Sequence, residues 1–200
     1  MSIDQVLTDL AEWLRWPVLA ASLAALALAA LEVGRFAVEL VRAGGARRRR
    51  ARADALLASA RAGALTPLAR DALPGGAATA TAEALFAHRG DRAAAEEALA
   101  QFELSAQRRL EPSRLLVRAG PALGLMGTLI PLVPGLAALG EGEITGLATE
   151  LRTAFAATIL GLGVGLVGFA LTLVRNRLYV EQLHLLERVA AQLEESACAA

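Results

Sequence analysis

The sequence predicts an all-α integral membrane protein with three transmembrane helices, long cytoplasmic helical extensions and an N-out/C-in orientation. Two runs of 22 residues, between Arg118 and Glu141 and between Arg152 and Arg175, carry no formal charge. Each would be about 33 Å long as a helix, enough to cross a hydrocarbon core of about 30 Å. A shorter apolar run, Trp16 to Leu31, supplies the third span. The arginines supply the orientation: fourteen lie from Arg42 to Arg118 and three after Val174, but none between Leu139 and Leu151. By the positive-inside rule the large central segment and the C-terminus face the cytoplasm.

Composition agrees with that class. With 56% hydrophobic residues, 4% aromatics and a mean hydropathy of +0.48, the chain is an Ala/Leu-rich membrane protein rather than a soluble domain. All twenty basic residues are Arg, which fits a GC-rich coding bias rather than a mechanism. A single cysteine, Cys198, leaves no intramolecular disulfide, and neither redox nor thiol chemistry is expected.

Residues 1–15 are expected to form an extracytoplasmic amphipathic helix, with Ile3, Val6, Leu7, Leu10, Trp13 and Leu14 at helical spacing. Trp13 and Trp16 suit an interfacial belt, or ordinary packing. The acidic N-terminus argues against a cleaved signal peptide. Residues 16–43 form the first transmembrane helix and its extension. It is expected to emerge into water near Glu32, with Glu32, Arg35, Glu39 and Arg42 pairing along one exposed face.

Residues 44–113 are a cytoplasmic helical loop region: a hinge and basic cluster at 44–54, a loop at 73–76, and a helix over 91–110 that Pro112 ends or kinks. Arg47 to Arg50 read as orientation signals rather than a nucleic-acid or lipid site, and no nucleic-acid partner is expected. The second span (114–138), a short extracytoplasmic turn (139–146) and the third span (147–174) follow. The tail, 175–200, continues the third helix, with Leu178, Leu185, Val189 and Gln192 near one stripe and Leu186 and Leu193 beside it. His88 and His184 are isolated, so no metal site is expected, and no cofactor. Enzyme signatures such as a P-loop, HExxH or GxSxG are missing, so no enzymatic activity is expected.

Small and hydroxyl residues give the second and third spans their faces. At about 100° per residue, Pro121, Gly124, Thr128, Pro131 and Gly135 share one arc. Ala154, Thr158, Gly161, Gly165, Gly168 and Thr172 share another. Such faces let helices approach closely in lipid, and a Thr there either hydrogen-bonds across the interface or bonds back to its own helix.

The segments GPALGLMGT (120–128) and FAATILGLGVGL (155–166) resemble the paired signatures of the MotA/TolQ/ExbB proton-channel family. Pro121, Gly124, Gly127 and Thr128 match a P-x-x-G-x-x-G-T segment, and Ala157, Thr158, Gly161 and Leu162 match an A-T-x-x-G-L segment. Two departures stand out. The ExbB and TolQ branch usually has glutamate where this chain has Thr153, and Gly is common where this chain has Pro131.

The resemblance implies a channel-forming subunit of a proton-motive-force-driven motor or energy-transducing complex in a bacterial or archaeal cytoplasmic (inner) membrane. It also implies a homo-oligomer, a pentamer, around two copies of a single-span MotB/TolR/ExbD-type partner. Thr128 and Thr158 are then the ion-pathway residues; Pro121, Gly124, Pro131, Gly135, Ala154, Gly161, Gly165 and Gly168 serve pore or subunit packing. The uncharged cores hold no titratable group, so the partner is expected to bring the membrane carboxylate. A ring is also expected on packing grounds, because the small faces find no adequate partner within one three-helix chain. The alternative is a non-conducting helical scaffold that clamps a partner protein.

Overall fold

The computed structural model describes residues 3–43, 46–67, 69 and 76–198. They form five helices: α1 (Ile3–Ala43), α2 (Ala46–Arg61), α3 (Ala77–Ala87), α4 (Arg92–Gly140) and α5 (Ile144–Cys198). Among the described residues there are no strands. The expected hinge at Gly44 and Gly45, residues 73–75 of the expected loop, and the side chains that would define the amphipathic face of residues 3–12 lie outside the described residues.

Three of the helices, α1, α4 and α5, are long and apolar enough to cross a membrane. Runs of Ala and Leu explain their helicity, since both residues lose little side-chain freedom in a helix. α4 extends through Pro112 to a length of 49 residues, with Pro121, Pro131 and Pro134 also inside it. Pro112 therefore neither ends nor divides the helix. Proline costs a helix one hydrogen bond, and here Leu110 and Leu116 on either side are both buried, so packing opposes a break. The turn between α4 and α5 occupies Glu141 to Glu143, tighter than the eight residues the sequence indicated. Gly142 makes it possible with φ +85°, a conformation that costs glycine no steric penalty. α5 then runs 55 residues without interruption.

Packing divides the chain into two compact units. The first comprises residues 1–35 and 112–172, the second residues 36–111 and 173–200. In the first, Ala29, Leu116 and Val164 form a small core with Ala25, Leu28 and Val167 against it. Large apolar side chains such as Leu23, Leu125, Leu129, Ile159 and Leu166 remain exposed, as a lipid-facing surface requires.

The second unit has the apolar core of a water-soluble bundle. Leu56, Leu57 and Ala60 of α2, Leu85 of α3, Phe102 of α4, and Leu186, Val189 and Leu193 of α5 are buried together. Of the tail stripe expected from the sequence and its neighbours, Val189, Leu186 and Leu193 are core residues of this unit and Leu185 packs against them, whereas Leu178 and Gln192 are not part of it. Asp91 opens α4 by accepting the Ala94 N–H at 3.1 Å, the usual N-terminal satisfaction of an orphan donor.

The charged series on α1 departs from expectation. Glu32 is only 2% exposed; it accepts from Arg35 at 3.3 Å, so it does not mark emergence into water. Glu39 pairs with Arg175 at 3.1 Å, 136 residues away. Arg175 is itself buried and stands 5.8 Å from the centre of the Phe36 ring, within cation–π range. Tertiary packing therefore replaces part of the local ladder.

Candidate functional site

The seam between α4 and α5 is built from glycine. A Cβ placed on Gly120 would stand 2.6 Å from the Gly161 carbonyl oxygen and the Gly165 nitrogen, and one on Gly161 would stand 2.6 Å from the Gly120 carbonyl oxygen and the Gly124 Cα. Backbone thus meets backbone, with no room for any side chain. Lower along the pair, Gly168 receives Leu116 and the Ser113 carbonyl, while Gly165 receives the Pro121 ring. In the other direction, Gly127 faces the Ala157 methyl and Gly135 faces the stem of Glu150. In lipid, where apolar burial between helices gains little, this close contact is the source of helix affinity.

These contacts correct the packing argument drawn from the sequence. The small faces of α4 and α5 pack on each other within the chain, and so do not by themselves demand a neighbouring copy. Gly124, Gly161, Gly165 and Gly168 lie in the seam, and Pro131, Gly135 and Ala154 are buried. Gly120, Gly127 and Ala157 belong to it as well. Gly127 and Ala157 were named only as signature residues, and all three fall just outside the predicted small-residue arcs, Gly120 and Gly127 beside that of α4 and Ala157 beside that of α5, by about 20–40° at 100° per residue.

Thr128 and Thr158 are each half-buried. Thr158 lies opposite Gly124, whose Cβ would stand 3.4 Å from the Thr158 Cα and carbonyl oxygen. Each hydroxyl bonds to its own helix: Thr128 Oγ1 donates to the Leu125 carbonyl at 2.7 Å, and Thr158 Oγ1 donates to the Ala154 carbonyl at 3.3 Å. With the proton so committed, each oxygen keeps its lone pairs to accept from a water or a protonated carboxyl.

Beside the seam lies an apolar groove of about 260 Å³, lined by Ser22 and Ala25 of α1, Gly124 and Pro131 of α4, and Thr153 and Gly161 of α5. Its hydroxyls are also turned to their own helices: Ser22 donates to the Val18 carbonyl at 2.8 Å and Thr153 to the Thr149 carbonyl at 3.2 Å. Of the two histidines, His88 ends α3 and His184 contacts Glu187 at 3.1 Å on an exposed surface.

A family model, the MotA/TolQ/ExbB proton channel family, matches residues 77–188. That is more than half of the chain, and it includes both signature segments and the whole α4–α5 seam. The chain belongs to the MotA/TolQ/ExbB proton channel family. No curated protein and no solved structure matches it. Membership makes the chain a membrane protein of a proton-channel family whose members work in complexes with partner proteins. The match begins at α3, so α1 and α2 lie outside it.

Proposed function

We propose that this chain is the channel-forming subunit of a proton-motive-force-driven motor or energy-transducing complex. The observation that carries the reading is the family match across both signature halves, which fall on two helices packed directly on each other. In this reading several copies, five by family resemblance, surround two copies of a single-span partner in a bacterial or archaeal inner membrane. The partner brings a membrane carboxylate, and Thr128 and Thr158 accept hydrogen bonds from it or from its water.

The layout follows the arginines. Residues 1–15 and the 141–143 turn lie outside, and residues 44–113 and the tail lie in the cytoplasm. Native mass spectrometry of the complex isolated in detergent tests the assembly: a ring of identical subunits with a smaller protein is expected, and a stable monomer overturns it. Proton flux through that complex tests the conduction.

One observation favours the scaffold reading instead. Both threonine hydroxyls are engaged by their own helices, as they would be in a seam that only holds helices together. Replacement of each hydroxyl separates the two readings.

A further inference from the structure

We infer that the groove between α1 and the α4–α5 pair is a phospholipid site: it takes one acyl chain lengthwise, with the lipid phosphate against Arg152 at its mouth. The inference needs only the membrane setting of these helices and stands apart from the channel reading.

The groove is continuous with the surface that faces lipid. Leu19, Leu23 and Leu26 of α1 and Leu160 of α5 line it, and all four are also exposed, so it opens sideways into the hydrocarbon region. Its lining offers water little, because the hydroxyls of Ser22 and Thr153 both donate to carbonyls of their own helices. An apolar recess of this kind binds hydrocarbon in preference to water, and a chain seated there gains close dispersion contacts along its length. On α5 the groove runs from Thr153 to Val164, about 17 Å at 1.5 Å per residue. That is the depth of one leaflet, about half of a 30 Å core. Spread over that length, its volume of about 260 Å³ gives a mean cross-section of about 15 Å², the scale of a single extended hydrocarbon chain and far less than a helix about 10 Å across.

Charge places the headgroup. Ala156, Leu160 and Val164 line the groove at four-residue intervals, and Arg152 stands one step earlier on the same stripe. It is exposed, and it is the only formal charge of α5 between Glu150 and Arg175. Helical side chains lean toward the N-terminus, so its guanidinium extends past the Thr153 end of the groove toward the turn. Glu150 lies on the seam stripe instead, against Gly135. A guanidinium matches the geometry of a phosphate and pairs with it bidentately. A cation at the head of an apolar slot one leaflet deep is therefore complementary to a phospholipid, with the anion above and the chain below. The chain would bridge α1 to the two signature helices, touching Ala25 on one side and Gly124 on the other.

The test uses the full chain, purified from its native membrane and exchanged into a detergent that strips bulk lipid. Native mass spectrometry should show one phospholipid retained per chain. Ala156→Phe puts a ring into the groove from a position outside the α4–α5 seam and should abolish retention, whereas Ile159→Phe, on an exposed face away from the groove, should not. Arg152→Gln should weaken retention about tenfold, the scale of losing one charge-assisted hydrogen bond. Separately, the wild-type chain is placed in phosphatidylcholine vesicles with a trace of the same lipid carrying a diazirine halfway along one acyl chain. After illumination the label should concentrate on Ser22 and Ala156 over Ile159 and Leu166. If Ala156→Phe does not fold, this labelling decides alone. No retained lipid, retention undiminished in Ala156→Phe, a fatty acid in place of the phospholipid, or label spread evenly over all four residues overturns the site. A polypeptide crosslinked to Ala156 in the isolated complex gives the groove a protein occupant and overturns it as well. Wild-type retention in Arg152→Gln overturns the placement of the headgroup.

Discussion

Gly124 of α4 packs on the backbone of Thr158 of α5, so closely that a Cβ at 124 would stand 3.4 Å from both the Thr158 Cα and its carbonyl oxygen, and 3.3 Å from the Gly161 Cα. The family's two signatures therefore meet at one point. The glycines of the first hold the second helix near enough for its threonine to lie in the seam.

The seam glycines should be intolerant of a methyl group. Gly120→Ala or Gly161→Ala puts a Cβ against backbone atoms that cannot rotate away, and overpacking of this kind costs about 1–3 kcal/mol. Gly163 is the control, since nothing lies within 4 Å of its Cβ position. There Ala should stabilise by up to about 1 kcal/mol through helix propensity. Thermal unfolding in detergent, followed by circular dichroism, should show lowered midpoints for the first two and none for the third.

Tyr179 gives a pH-dependent signature of the second unit. Burial, and then the Glu39 carboxylate, push its phenol above the usual tyrosine value of 10.0, while the Arg109 and Arg175 charges pull less strongly the other way. The folded chain thus holds this proton more tightly than the unfolded chain. The associated stability is fully present below pH 10.0 and is lost as pH rises from there through the folded value. The chain has a single tyrosine, so phenolate absorbance reads it directly. Its midpoint should lie above 10 when folded and return to about 10 in denaturant. Tyr179→Phe removes the titrating hydroxyl, so the loss of stability above pH 10.0 should disappear with it. A folded midpoint at or below the denatured one contradicts the burial argument.

Much of this was legible in the residues. An uncharged run long enough to span a bilayer needs no tertiary information, and neither does a tail whose apolar spacing continues the helix. Both signature segments were visible for the same reason. What could not be read were facts about neighbours. Glu32 ends an apolar run, which in sequence resembles emergence into water; its burial is supplied by other helices. Glu39 has helical neighbours of opposite charge, yet bonds to Arg175. The core joining Leu56 and Phe102 to Leu186 rests on pairs separated by more than 80 residues, and no local pattern announces them.

The orientation has its own test. In a Cys198→Ser background, needed because the native cysteine is exposed, Gly142→Cys should react with a membrane-impermeant maleimide in intact cells. A cysteine replacing Ala87, within the arginine-rich segment, should react only after lysis. The opposite pattern contradicts N-out/C-in.

Proton flux through the assembled complex, comparing Thr158→Val with Thr158→Ser, tests the central claim most directly. Val preserves the branching of Thr but removes the oxygen proposed to accept from the partner's carboxyl or its water, whereas Ser keeps that oxygen. Leaving a buried polar partner unsatisfied costs about 1–3 kcal/mol, so the Val complex should pass protons about tenfold or more slowly, with assembly intact and flux largely retained in the Ser complex. Wild-type flux through a fully assembled Thr158→Val complex, together with the same result for Thr128→Val, would contradict the assignment of these threonines to an ion pathway.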